Sequence, residues 1–196
     1  MRLGGIWDHV GFGFHRYSTD ARWLLPHFEK MLYDQALIAC AYLEAYQITK
    51  DPLLAATAED IFTYVLRDMT AAEGAFYSAE DADSEGEEGK FYVWSTEEFR
   101  RVLGDETAKR WETILRLSPE GNFTDEASRQ KTGANILHLT APLKKWAEKF
   151  DLPKDQLEQD WENIRDKLFR VREKRIHPLK DDKILTDWNG LMIAAL

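Results

Sequence analysis

A chain of 196 residues, 44% hydrophobic and 31% charged, can build one domain with a real core and has the balance of a soluble globular protein. A formal net charge of -9 argues against a polyanion-binding surface, because neutralising phosphates takes clustered Lys and Arg, so no nucleic-acid partner is expected. The single cysteine, Cys40, rules out an internal disulfide and reads as a small buried hydrophobe.

Residues 4–20 are rich in glycine and aromatics and close with His15-Arg16-Tyr17-Ser18, which suits an irregular segment bent around a site. Pro26-His27-Phe28-Glu29-Lys30 then leads into an apolar stretch, and the spacing predicts a buried helix over 29–48. Asp34 and Gln35 are the only strongly polar side chains between Lys30 and Glu44, so this helix is expected to be covered on most sides. Asp51-Pro52 supplies an N-cap and first-turn proline for a second helix, in which Leu54, Ala58, Ile61, Val65 and Met69 form one buried stripe.

Two aromatic, strand-like runs follow, 74–78 and 90–94, with the acidic segment Glu80-Asp81-Ala82-Asp83-Ser84-Glu85-Gly86-Glu87-Glu88 between them. They predict a β-hairpin with a long acidic loop. Ser95-Thr96-Glu97-Glu98 is a capping box for a short helix to Leu103. Beyond it the pattern predicts a helix over 106–117, a loop over 118–133, a short extended piece at 135–139 and a helix over 142–150. Leu157, Trp161, Ile164, Leu168 and Val171 mark another one-stripe helix over 154–174.

The last segment repeats the first. Lys30-Met31-Leu32-Tyr33-Asp34 and Lys183-Ile184-Leu185-Thr186-Asp187 share Lys-x-Leu-x-Asp, and each opens a helix apolar on nearly every side. One-stripe helices alternating with deeply buried ones suit two concentric rings, so the expected fold is mainly α: a partial α/α toroid with a small β-hairpin at its site face. A plain helical bundle or α-solenoid is the rival architecture. The chain is expected to be a fragment of one such domain, since it opens within a glycine-rich turn and stops inside an apolar helix. No leader precedes the first turn, and the longest apolar run, 36–45, is far short of the roughly 20 residues a membrane span takes. No membrane partner is therefore expected, and the location reads as cytoplasmic.

Two constellations could carry chemistry. Glu80, Asp81 and Asp83 are close carboxylates, where repulsion raises one pKa and yields an acid and a base near neutral pH, as glycoside hydrolysis requires. The same residues also read as a merely solvated acidic loop, or as the start of a calcium loop. The latter lacks its closing glutamate, since Tyr92 holds the twelfth position, and no metal or cofactor is expected. His15 and His27 could move protons, while Arg16 could hold an anionic or hydroxyl-rich ligand, with Glu29 and Lys30 as further substrate-binding candidates and structural hydrogen bonds as the alternative for each. Tyr33, Asp34 and Asn189 lie at the openings of the two repeated helices, where Asp34 and Asp187 could instead cap their own helices. Trp7, Trp23, Trp94 and Trp188 are placed to stack on sugar rings, whereas Trp111, Trp146 and Trp161 read as core.

Four stretches, 11–20, 26–35, 77–84 and 181–191, closely resemble the thioredoxin-domain-containing family that includes mammalian spermatogenesis-associated protein 20. The resemblance spans nearly the whole chain. It implies an (α/α)6 toroid similar to six-hairpin glycosidases and N-acylglucosamine 2-epimerases, joined in the full-length protein to a thioredoxin-like domain that this chain does not contain. It departs from the family's pattern at Asp187, where serine is commoner, and in the polar run 122–135. Two functions are compatible with this. One is a carbohydrate-active hydrolase or epimerase acting on a small sugar ligand. The other is a non-catalytic module that presents a ligand or client to the thioredoxin-like partner domain.

Overall fold

A computed structural model describes residues 1–125 and 129–196. The polar run expected over 122–135 therefore lies partly outside the described residues. Within them, β1 (Tyr17–Ser18) and β2 (Pro26–His27) pair antiparallel and lead to β3 (Lys30–Met31), α1 (Leu32–Thr49) and α2 (Pro52–Asp68). Next come β4 (Ala79–Glu80), β5 (Asp83–Ser84), β6 (Glu87–Glu88), α3 (Thr96–Leu103) and α4 (Asp105–Ile114). The chain ends with α5 (Leu143–Lys149), α6 (Gln156–Arg172), β7 (Lys180–Asp181) and α7 (Thr186–Ala195). The protein is mainly α, with small antiparallel sheets.

Local chemistry explains several helix boundaries. Asp51 caps α2 by accepting from the Leu53 amide at 3.0 Å, and Ser95 caps α3 by accepting from the Glu98 amide at 3.0 Å. Lys50, in the left-handed region at φ 59°, ends α1 and turns the chain directly into α2. The start of α1 differs from expectation: residues 26–31 are extended, because β2 pairs with β1 and β3 with β4, and these ladders override the proline's helix-opening preference. Asp34 and Asp187 do not cap their helices. The N-cap residues of α1 and α7 are Met31 and Leu185, neither with a side-chain bond, which puts each aspartate inside the first turn.

The acidic segment also folds differently. Runs 74–78 and 90–94 do not pair with each other. Instead β4 is the middle strand of a sheet ordered β3-β4-β7, with Lys30 opposite Glu80 and Glu80 opposite Lys180. The acidic stretch makes its own tight hairpin from β5 and β6, turning through Glu85 and Gly86 at φ 55° and 77°, the double positive φ of a type I′ turn. Alternation along the extended chain buries Glu80, Ala82 and Ser84 and exposes Asp81 and Asp83.

Two main cores result. Ile6, Trp7, Phe14, Leu32, Ile61, Tyr64, Val65 and Met192 fill the first, between α1, α2, α7 and the N-terminal loop. Trp94, Phe99, Trp111, Trp146, Leu157, Ile164 and Leu168 fill the second, between α3, α4, α5 and α6. At about 1.5–3 kcal/mol for each large side chain, this burial is the main drive to fold. α1 packs on both α2 and α7, and the first-turn residues Tyr33 and Trp188 meet at 4.8 Å between ring centroids, so the two repeated helices start side by side. Their expected all-round burial is not observed: Leu37 is 54% and Ile48 85% exposed, because α1 has helical neighbours on two sides only.

Both repeated helices clamp a neighbouring loop with a side-chain amide at their fourth position. Gln35 accepts from the Phe14 amide at 2.9 Å and donates to the Phe14 carbonyl at 2.7 Å. Asn189 does the same for Phe76, at 2.8 and 2.9 Å. The cores are joined through Asp8, whose carboxylate takes Arg172 of α6 at 2.7 Å and Lys30 of β3 at 2.8 Å. Removing one partner of such a buried set leaves uncompensated charge. Asp8→Ala is expected to lower unfolding free energy by about 3–5 kcal/mol or abolish folding. Chemical denaturation checks this, and a loss below about 1 kcal/mol would contradict it.

Candidate functional site

The side chains marked out by the sequence separate into an open rim and a closed interior. Arg16, His27, Glu29, Tyr33, Asp34 and Trp188 gather at the rim, where α1 and α7 begin. Arg16 precedes β1 and Glu29 follows β2, so pairing of those strands sets their guanidinium and carboxylate 2.8 Å apart. The Arg16 guanidinium also meets the Tyr33 hydroxyl. His27 stacks on Tyr17 at 5.0 Å between centroids, its Nδ1 lies 2.7 Å from Glu88 of the acidic hairpin, and its Nε2 lies 3.8 Å from Glu29. The hairpin thus closes over the histidine side of the rim.

Asp34 is the rim's distinctive acid. Half-buried, with Oδ2 lacking a hydrogen-bond partner, it is pushed up to about 6 by desolvation, which Arg16 opposes and Glu29 reinforces. Beside it stand the Tyr33 and Trp188 rings. The rim therefore holds a carboxyl that changes protonation near neutral pH, an ion-paired carboxylate, a guanidinium and two aromatic faces.

The interior takes the remaining candidates. Lys30 is 1% exposed, donates to Asp8 and to the Phe12 carbonyl, and lies over the Tyr64 ring at 4.3 Å. Burial pulls its pKa down, while Asp8 and Glu80 oppose the fall. Desolvation alone would raise Asp8, but Arg172 and Lys30 overcome it and hold the carboxyl well below the ordinary range. Glu80 was expected to belong to a carboxylate group with one raised pKa. It is instead held low: desolvation is outweighed by Lys180, Lys30 and a hydrogen bond from Tyr92, and strand alternation turns Asp81 and Asp83 to the other side.

His15 donates to or accepts from nothing at the rim. It is buried with Nδ1 2.9 Å from the Phe28 carbonyl, between the Phe28 and Tyr92 rings, and burial followed by Lys30 brings its pKa down to about 3. A neutral imidazole donating from Nδ1 fits that contact. Trp94 is buried under Arg175, at 4.2 Å, and offers no face to a sugar. Asn189 is occupied with Phe76. Among the described residues no group of acids, histidines and cysteine is arranged to hold a metal, and no helix is long and apolar enough to cross a membrane.

Several interior residues escaped the sequence reading. Arg172 continues the buried stripe Leu157, Ile164, Leu168 at helical spacing, a visible sign that its charge is buried. Asp8 and Gly11 gave a weaker one: the space beside Gly11 is filled by the Arg172 guanidinium, and a Cβ there would collide with it. Lys180, Tyr64 and Tyr92 carried no local signal.

The chain is thus a mainly α domain that gathers acidic and aromatic side chains where α1 and α7 begin. No protein-family profile matches the chain. It is 39% identical over 211 residues to human spermatogenesis-associated protein 20 and 38% to the mouse protein, matching 99% of this chain and 27% of each relative. An uncharacterised protein of Caenorhabditis elegans is 32% identical over 213 residues, covering 100% of this chain and 29% of the relative. The chain is thus homologous to a segment of spermatogenesis-associated protein 20 and spans about a quarter of the length of these curated relatives.

The titrating groups oppose one another. His9 and His15, both near 3 when folded, take up protons below about 6.5 only when unfolded, so each removes stability as pH falls from 6.5 towards 3. Asp34 and Asp60, both raised to about 6 chiefly by burial, take up protons in the folded state before the unfolded one, so each adds stability as pH falls from 6 towards 3.8. Asp34→Asn is therefore expected to be more stable than the parent at pH 7.5. That advantage should shrink towards zero at pH 4, by about 1 kcal/mol after allowing for solvent screening. Urea midpoints at the two pH values check this, and an equal difference at both would contradict it.

Proposed function

We propose that the rim is the acid–base and binding face of a carbohydrate-active site, in a hydrolase or epimerase built on an α/α toroid. The observation that carries this reading is Asp34, a half-buried carboxyl with an unpartnered Oδ2 and a pKa near 6, close to the ion-paired Glu29 and next in the chain to Tyr33, whose ring meets Trp188. Two carboxyl groups whose environments separate their protonation states can serve as acid and base at one pH. Aromatic faces bind the apolar faces of sugar rings, and Arg16 can donate to hydroxyl oxygens. The neighbouring starts of α1 and α7, and the packing of α2 on α1, support the toroid.

In this reading Asp34 gives or takes the proton, Glu29 acts as the second carboxyl group, held by Arg16, and Arg16, Tyr33 and Trp188 position the substrate. His27 tunes the rim through Glu88 and Glu29. Glu80, Lys30 and His15 are structural residues of the interior, while Asp81 and Asp83 stand outside the reacting centre. The protein should be screened against aryl glycosides and N-acyl hexosamines, with the most active substrate then used for variants. Asp34→Asn is expected to lower kcat by about 10²–10⁴-fold, with a smaller loss for Arg16→Gln and none for Asp81→Asn. Turnover that survives both Asp34→Asn and Glu29→Gln would remove the rim from the chemistry.

A further inference from the structure

Below the β3-β4-β7 sheet, between the C-terminal ends of α2 and α6, lies a second cavity of about 210 Å³. At roughly 30 Å³ per water, it holds about seven waters or one ligand of comparable bulk. Phe91, Tyr92 and Tyr64 supply its aromatic wall. Its four cations meet four carboxylates: Lys30 and Arg172 share Asp8, Lys180 binds Glu80, Arg67 binds Asp68, and Glu173 stands in the same wall. A phosphate or carboxylate entering here would find no surplus positive charge, since the carboxylates in and beneath the wall equal its cations in number. Electrostatics therefore disfavours an anion.

Two donors in this wall are nevertheless unused. The Tyr64 hydroxyl, on a residue 1% exposed, has no hydrogen-bond partner, and neither has Nε of Arg172, 3% exposed. Such groups are rare inside a protein, because each forfeits about 1–3 kcal/mol of hydration. Desolvation, then Glu80 and Asp68, keeps Tyr64 protonated, so it can donate. A charge-balanced wall with spare donors, carboxylate acceptors and aromatic faces matches a neutral molecule bearing several hydroxyls.

We propose that this cavity binds a small neutral polyol or monosaccharide, with the Tyr64 hydroxyl donating to one ligand oxygen and Arg172 Nε to another. The cavity is lined by the ends of α2 and α6, whereas the rim is built on the starts of α1 and α7, so the proposal stands whether or not the rim turns over sugars.

Saturation-transfer NMR and calorimetry with xylose, glucose, myo-inositol and glycerol test it, with gluconate and inorganic phosphate as charged counterparts. Binding of at least one neutral probe is expected, at least tenfold tighter than either anion. Tyr64→Phe should weaken binding about five- to tenfold while the thermal midpoint is unchanged or higher, since an unused buried hydroxyl is removed. His177→Trp, at a half-exposed position on the cavity wall, should block binding without unfolding the protein. Tighter binding of an anion, undiminished binding in both variants, or no binding of any probe at 100 mM, leaving ordered water only, would overturn the proposal.

Discussion

The arrangement depends on one buried carboxylate. Asp8 lies in a glycine-rich loop with no regular structure of its own, yet Arg172, 164 residues away, and Lys30, on the strand that launches α1, both end on it. The amides of Val10 and Gly11 add two more donors at 3.0 Å, so its oxygens are fully engaged. Taking three charges out of water costs about as much as their mutual attraction returns. The set therefore adds little net stability, and hydrophobic burial on either side does most of that. Its effect is on arrangement: a lysine and an arginine buried from different halves of the chain have few low-energy alternatives to meeting this aspartate, which fixes α6 against the base of α1.

From Lys30 the constraint passes across the sheet. Register sets Glu80 between Lys30 and Lys180, and Tyr92 bonds the same carboxylate, so β4 and β7 are held by charge as well as by backbone pairing. Two-residue strands carry few ladder bonds, and side-chain pairs of this kind are what makes so short a sheet persist. The amide clamps act similarly one turn further on. Gln35 and Asn189 each substitute for a missing strand partner, Gln35 to Phe14 and Asn189 to Phe76, and so fix loops that would otherwise leave backbone groups unsatisfied.

Helices were largely legible in the sequence, because their signals are local. The stripe in α2, the capping serine of α3 and the spacing in α6 each depend on residues within a few turns. The repeated Lys-x-Leu-x-Asp correctly pointed to two helices that start together, but its register is displaced by one residue: Gln35 matches Asn189 by helical position, whereas the motif aligns it with Trp188. The strands were not legible. β4 finds its partners 50 residues before it, in Lys30↔Glu80, and 100 residues after it, in Glu80↔Lys180, separations at which local patterns carry no information. The site was half legible. Residue type identified Arg16, His27, Glu29, Tyr33, Asp34 and Trp188, but the same criteria also chose Lys30, His15, Glu80, Trp94 and Asn189, which face inward. What separates the two groups is the direction of each side chain, and pairing over long separations decides that.

One physical effect accounts for the division between interior and rim. Desolvation acts on Asp8, Glu80 and Asp34 alike and in each case favours the neutral acid. Asp8 receives two bonded cations and Glu80 one, with a tyrosine hydroxyl besides, and both remain ionised. Asp34 receives no hydrogen bond at Oδ2, and the nearby Arg16 is already committed to Glu29, so burial prevails and the carboxyl stays protonated to about pH 6. Had Arg16 turned to Asp34, the guanidinium would oppose that rise at close range. The β1-β2 pairing that sets Arg16 against Glu29 is thus what leaves Asp34 able to exchange a proton near neutral pH.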